Sequence, residues 1–187
     1  MSTSQSEIEG KNVMETRRKV EVVPYSSTWL PAFQKEETTL RTIFGEELLE
    51  VHHIGSTSVV GMSAKPVIDL LLVVRSISRI DEWNDSMCGI GYEAKGENGI
   101  EGRRYFQKGG NARSHHVHVF EEGSPAIARH LVFRDFLRVH PARAMEYGAL
   151  KTRLATQYPY DIEKYIDGKS DIIRRIECDA LLWSRKR

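Results

Sequence analysis

Cysteine is nearly absent from this sequence of 187 residues: there are two, Cys88 and Cys178. With no Cys-x-x-Cys spacing and no secretory leader before them, they speak against a disulfide framework and for a reducing compartment, both as buried free thiols. Long apolar runs are missing too. No stretch approaches the roughly 20 apolar residues that cross a bilayer, and residues 1–12 lack the apolar core of a leader, so the expected setting is cytoplasmic with no membrane partner. Nor is there an excess of either charge. Lys plus Arg number 27 against 26 Asp plus Glu, which removes any global pull toward nucleic acid and makes a phosphate preference a local matter. There is no internal repeat and no Gly-x-x-x-x-Gly-Lys-Ser/Thr loop, which excludes the P-loop kinases.

What is present reads as one α/β (α+β) domain over residues 19–187 behind a disordered tail, 1–18. Val20 to Val23 alternate like an edge strand and stop at Pro24. Trp29, Phe33, Leu40 and Phe44 keep helical spacing between a Ser27 or Thr28 cap and the stop at Gly45. Leu48 to Ile54 read as a strand, broken at Gly55-Ser56-Thr57-Ser58. Pro66 opens Val67-Ile68-Asp69-Leu70-Leu71-Leu72-Val73-Val74, apolar on both faces except for Asp69 and therefore a central, doubly covered strand. Ile77, Ile80, Trp83 and Met87 predict a second helix ending at Gly89. Short alternating segments at 92–94, 103–107 and 115–120 extend the sheet. From Ser124-Pro125 the chain reads as helices, broken near His140-Pro141, Tyr158-Pro159 and Gly168.

The segment that carries chemistry is His53-Ile54-Gly55-Ser56-Thr57-Ser58, then Lys65-Pro66-Val67-Ile68-Asp69. A strand that ends in Gly-Ser and turns presents backbone N–H groups and hydroxyls to one spot, which suits phosphate. A short excursion and a return strand bring Asp69 beside that spot, where it can meet a divalent cation. Plainer readings stand beside these: a tight turn with a capping serine, and a structural ion pair from Asp69 to Lys65 or an arginine. Arg103, Arg104 and Lys108 either meet a triphosphate, with Arg104 as a phosphate ligand, or form a solvated basic strand. His52 and His53 face opposite sides of their strand, so at most one belongs to the site.

These residues resemble the hydrophobic-Gly-Ser, spacer, Asp pattern of the DNA polymerase β-type nucleotidyltransferase superfamily, and within it the GrpB family. The resemblance extends through His116-Val117-His118-Val119, Phe133-Arg134-Asp135-Phe136-Leu137-Arg138, His140-Pro141, Tyr147, Leu150-Lys151, Tyr165 and Gly168-Lys169-Ser170, from about Val20 to Trp183. It implies a mixed sheet flanked by helices with a C-terminal helical bundle. It also implies that a nucleoside triphosphate or other phosphoester binds at Gly55, Ser56 and Thr57, and that its nucleotidyl group passes to a hydroxyl acceptor, with Asp69 and Lys65 catalytic. Where active members carry a second acid, this chain has Leu71. The replacement ligands are then His116 and His118 beside Asp69, a set that favours zinc, manganese or iron over magnesium. A nucleotide-binding regulatory module, of the kind found behind dephospho-coenzyme A kinase, and a metal-dependent phosphoester hydrolase are the alternatives. The partner in every case is a small-molecule nucleotide, with no nucleic acid.

Overall fold

The computed structural model describes residues 18–186. Helix α1 (Trp29–Phe44) buries Trp29, Phe33, Leu40 and Phe44 along one stripe, the three-to-four spacing that puts side chains on a common face. The expected side-chain cap is not made by Ser27 or Thr28; the Ser26 hydroxyl instead accepts from the Thr28 N–H at 3.2 Å. Gly45, at φ +52°, ends the helix. Strand β1 (Leu48–Ile54) then runs antiparallel to β2 (Ile68–Val74), which lies parallel to β5 (His115–Glu121). Beyond β5, β4 (Arg103–Lys108) and β3 (Tyr92–Ala94) add antiparallel ribbons. The sheet is mixed and five-stranded, ordered β1-β2-β5-β4-β3.

Strand β2 has the double cover its composition predicts. Ile68, Leu70, Leu72 and Val74 pack beneath α1 with Val117 and Val119. Leu71 and Val73 face the other way, with Ile54 and Phe120, beneath Ala126, Ile127 and Leu131 of α3 (Pro125–Val139). Each such side chain contributes about 1.5–3 kcal/mol on burial, so the register of β2 is fixed from both faces. Asp69 shares the face of Leu71 but sits at the start of the strand, beyond the apolar cover of α3.

The C-terminal helices follow the predicted breaks: α3, α4 (Pro141–Gln157), α5 (Ile162–Asp167) and α6 (Ser170–Ser184). Their core of Phe136, Leu137, Ala144, Tyr147, Ile172 and Ile176 closes on Val59 and Met62. These two follow the Gly-Ser turn, so the bundle is seated on the segment next to the site.

Three expectations change. Val20 to Val23 form no strand; Val23 makes one isolated bridge to Ala64, and Val20 is buried beside Leu154 and Tyr165 with its N–H on the Pro159 carbonyl. The segment from Ile77 is a 3-10 helix to Trp83, followed by the short α2 (Asn84–Gly89). Ile77, Ile80 and Trp83 are spaced by three, the period of the tighter helix. Cys88 and Cys178 are exposed, not buried. The expected tail falls, Arg18 apart, outside the described residues. Among the described residues no helix is long and apolar enough to cross a membrane.

Candidate functional site

Gly55 takes φ +68°, which favours glycine, and a Cβ there would stand 2.4 Å from Asp69 Oδ2. The carboxylate therefore lies directly on the turn, the convergence that the spacing of the two elements predicts. The turn is fixed from all sides. Ser58 Oγ donates to the Gly55 carbonyl at 2.6 Å, and Thr57 Oγ1 donates to the Val67 carbonyl at 3.2 Å. That leaves Thr57 Oγ1 to accept from the buried His53 imidazole at 3.0 Å. From α3, Arg134 donates to the His53 carbonyl at 3.3 Å and Arg138 to the Ser58 carbonyl at 3.0 Å. Both arginines are thus scaffold, as is His53, which stacks on Phe33. Thr57 lines the cavity, but its hydroxyl is occupied in holding the turn.

Between the turn, the start of β2 and helices α4 to α6 lies a cavity of about 290 Å³. Gly55, Ser56, Thr57, Lys65, Asp69, His116 and His118 all line it, so seven of the eight residues singled out from the sequence meet there. Two more lysines join them, Lys151 from α4 and Lys169 from the start of α6. Lys151 is 2% exposed, and its Nζ donates to Ser56 Oγ at 2.6 Å while lying 4.6 Å from the centre of the Tyr147 ring. Lys65 and Lys169 share the Tyr165 ring, at 5.4 and 5.3 Å from its centre. Among the described residues none of the three lysines forms an ion pair with an acid. Burial, then the charges of Lys169 and Lys65, push Lys151 down to about 7 against the pull of Asp69. Lys65 falls to about 8, again through burial first and then Lys169 and Arg18. Burial lowers Lys169 as well. A buried cation is costly without a counter-charge, and three of them here face one carboxylate.

Asp69 Oδ1 accepts from His116 Nδ1 at 2.9 Å. Burial pushes the carboxyl up, but the hydrogen bond from His116, with Lys65 nearby, outweighs it and holds Asp69 below the usual carboxylate range. His116 Nε2 is buried without a hydrogen-bond partner among the described residues. With the carboxylate ionised, Nδ1 is the donor, and Nε2 is the ring nitrogen left for a further partner. His118 is committed elsewhere. Its Nδ1 is 3.3 Å from an Arg103 guanidinium nitrogen, and burial depresses it to about 3, so it is a neutral imidazole accepting from Arg103.

The sheet therefore brings Asp69, His116 and His118 to one cavity without arranging them as a ligand set. Among the described residues no three His, Cys, Asp or Glu side chains are placed to hold a metal ion. Leu71, where a second acid would stand, is 0% exposed, and three ammonium groups oppose a dication. The donors present do not fit a protein-held metal centre. Arg104 is also displaced from its expected role. It faces the opposite side of β4 from Arg103 and Tyr105, and its guanidinium grips Asp81 at 2.9 and 3.0 Å. A strand reverses its side chains at every residue, which turns Arg104 away from the cavity, and Arg103 does not line it either.

Lys151, Lys169, Tyr147 and Tyr165 belong to the sequence resemblance, which gives them no role in the site; the structure places all four on the cavity wall. A signal did exist for Lys151. It falls in the buried stripe of Ala144, Tyr147, Gly148, Leu154 and Ala155, where a lysine calls for a partner.

With this geometry in hand, three comparisons bear on it. A sequence profile of the GrpB family, described as GrpB protein, matches residues 19–178. The UPF0157 protein YqkA of Bacillus subtilis is 52% identical over 171 residues, which cover 91% of this chain and 50% of that protein. A dephospho-CoA kinase of Mycolicibacterium paratuberculosis is 28% identical over 193 residues, covering 90% of this chain and 47% of the kinase. The chain thus spans about half the length of both relatives. The crystal structure of the conserved protein GrpB from Enterococcus faecalis matches with a TM-score of 0.85 at 43% identity, covering 88% of this chain and 99% of that one.

Proposed function

This chain belongs to the GrpB family, and from that premise we propose that its cavity binds the phosphate chain of a nucleoside triphosphate or related phosphoester and passes the nucleotidyl group to a hydroxyl acceptor. The observation that carries this reading is the charge imbalance: Lys65, Lys151 and Lys169 converge with Asp69 as the cavity's one acid. Such a cavity is short of negative charge, and a polyphosphate supplies it without desolvating a further acid of the protein.

The roles follow from placement. Ser56 Oγ and Lys151 Nζ, already bonded to each other, grip phosphate oxygens at the turn. Lys65 and Lys169 face the same oxygens across Tyr165. Asp69 holds His116 at Nδ1 and leaves Nε2 free. In transfer, the acceptor hydroxyl oxygen bonds to the α-phosphorus and its proton goes to His116 Nε2. The bond to pyrophosphate breaks, and the lysines neutralise the charge that leaves. Leu71 supports a second reading, a module that binds the nucleotide without turning it over.

A triphosphate labelled at the α-phosphate separates the readings. Transfer puts label on an acceptor and releases pyrophosphate, hydrolysis yields a labelled monophosphate, and the module holds the nucleotide unchanged. Failure of wild-type protein to bind nucleoside triphosphate or inorganic tripolyphosphate would refute the phosphate assignment altogether.

A further inference from the structure

Behind Lys65 lies a second cavity, of about 270 Å³, which shares Lys65 and Val67 with the first. Its walls set Arg18, Lys19 and Arg113 around Lys65 against one carboxylate, Glu21. Neither Arg18 nor Arg113 has an ion-pair partner among the described residues. Burial and then the charge of Arg113 push the Arg18 guanidinium down, as expected for two cations held near each other with no acid between them.

Arg113 is fixed in place. Its Nε donates to the Gly110 carbonyl at 3.2 Å and its guanidinium bonds Gln107. The loop that carries it is tight: Gly109 has φ +96°, a Cβ there would stand 2.4 Å from the Ala112 carbonyl oxygen, and the Ser114 N–H closes on the Lys108 carbonyl at 2.9 Å. The guanidinium is therefore held in one place, so little side-chain entropy is lost when an anion arrives.

We propose that this second cavity binds the phosphate of the acceptor, a small phosphorylated alcohol, with Lys65 standing between that phosphate and those of the nucleotide. The inference rests on the phosphate reading of the first cavity and adds the acceptor's chemical class. Two anions meeting across one ammonium bring the acceptor's hydroxyl toward the Asp69–His116 pair without mutual repulsion. The chain's net charge of +1 favours a compact phosphomonoester over a long polyanion, which gains affinity from many phosphate contacts.

The test saturates the first cavity with inorganic tripolyphosphate and then titrates inorganic phosphate, read by phosphorus NMR line broadening. Wild-type protein should bind one further phosphate. Arg113→Gln should weaken that binding about tenfold, the loss of one charge-assisted hydrogen bond, with tripolyphosphate affinity unchanged within about twofold and the melting temperature retained. Lys151→Met should weaken tripolyphosphate alone, and Lys65→Met both anions. Tripolyphosphate that binds while added phosphate does not would overturn this inference and leave the first cavity's reading standing. Failure of both anions to bind would remove the two together. Unchanged phosphate binding in Arg113→Gln, or an oligonucleotide outcompeting glycerol phosphate at equal phosphate concentration, would also overturn it.

Discussion

Raising the pH from 7 to 9 should strip the cavity of the charges that hold phosphate. In the free protein Lys151 titrates at about 7 and Lys65 at about 8. The groups facing them are Lys169, Asp69 and Tyr147, and Asp69 stays ionised throughout this range. A bound polyphosphate favours the ammonium forms, so binding draws protons onto whichever lysine has lost one. Affinity is then complete below pH 7 and falls as pH rises through the two free-state values. Worked through, the Kd rises about tenfold between pH 7 and 8 and about 500-fold between pH 7 and 9, ~3.7 kcal/mol in all. Calorimetry with inorganic tripolyphosphate in two buffers of different ionisation enthalpy should find about 0.6 protons taken up at pH 7 and about 1.4 at pH 8. The terminal ionisations of tripolyphosphate itself overlap this window, so a titration of the free ligand under the same conditions is subtracted before the protein's share is read. A Kd that changes less than about threefold over these two pH units, with no proton uptake, would refute the account of the lysines.

The same burial makes Lys151 a cost to the empty protein. Lys151→Met, which keeps length and removes the charge, should raise stability at pH 7 by on the order of 2 kcal/mol in urea while lowering tripolyphosphate affinity at least about tenfold. A destabilised variant that still binds would contradict this. Gly55→Ala should cost about 1–3 kcal/mol through its positive φ and the collision with Asp69 Oδ2. The cost should shrink by about 1 kcal/mol in an Asp69→Ala background; an additive pair in the double-mutant cycle would mean the two do not touch. Burial holds His53 at about 4 and His118 at about 3, both below the unfolded value of 6.5. The stability they contribute is complete above pH 6.5 and is lost as pH falls toward 4, by up to about 1 kcal/mol per pH unit for each. A urea midpoint that stays flat from pH 7 to 5 would count against it.

Local pattern carried most of the fold. Apolar spacing placed α1, Gly55 and Pro66 bracketed the excursion between β1 and β2, and prolines marked the breaks between C-terminal helices. The run at Ile77 was misjudged because a spacing of three suits either helix type, and the residues from Val20 because alternation says nothing about whether a partner strand exists. For the site, Gly55, Ser56 and Asp69 were legible because turn chemistry and a lone acid in an apolar strand are local anomalies. Lys169 was not, since its charge looks ordinary in a polar stretch and only the packing of α5 and α6 carries it inward. Arg104 was not placed correctly, because strand phase there depends on pairing with β5 and turns it toward Asp81. The imidazoles of His116 and His118 share a face, as alternation requires, but their partners Asp69 and Arg103 were fixed only by neighbouring strands.

The phosphate grip is divided between two layers. Ser56 and Asp69 belong to the sheet, whereas Lys151 and Lys169 come from helices that follow more than 80 residues later. Neither half is a receptor by itself. An anion lodged here would work as a rivet, so a chain cut before α4 would forfeit recognition even with an intact sheet. Ligand occupancy should likewise register as tighter docking of the helices, seen as slower amide exchange along α4 and α6.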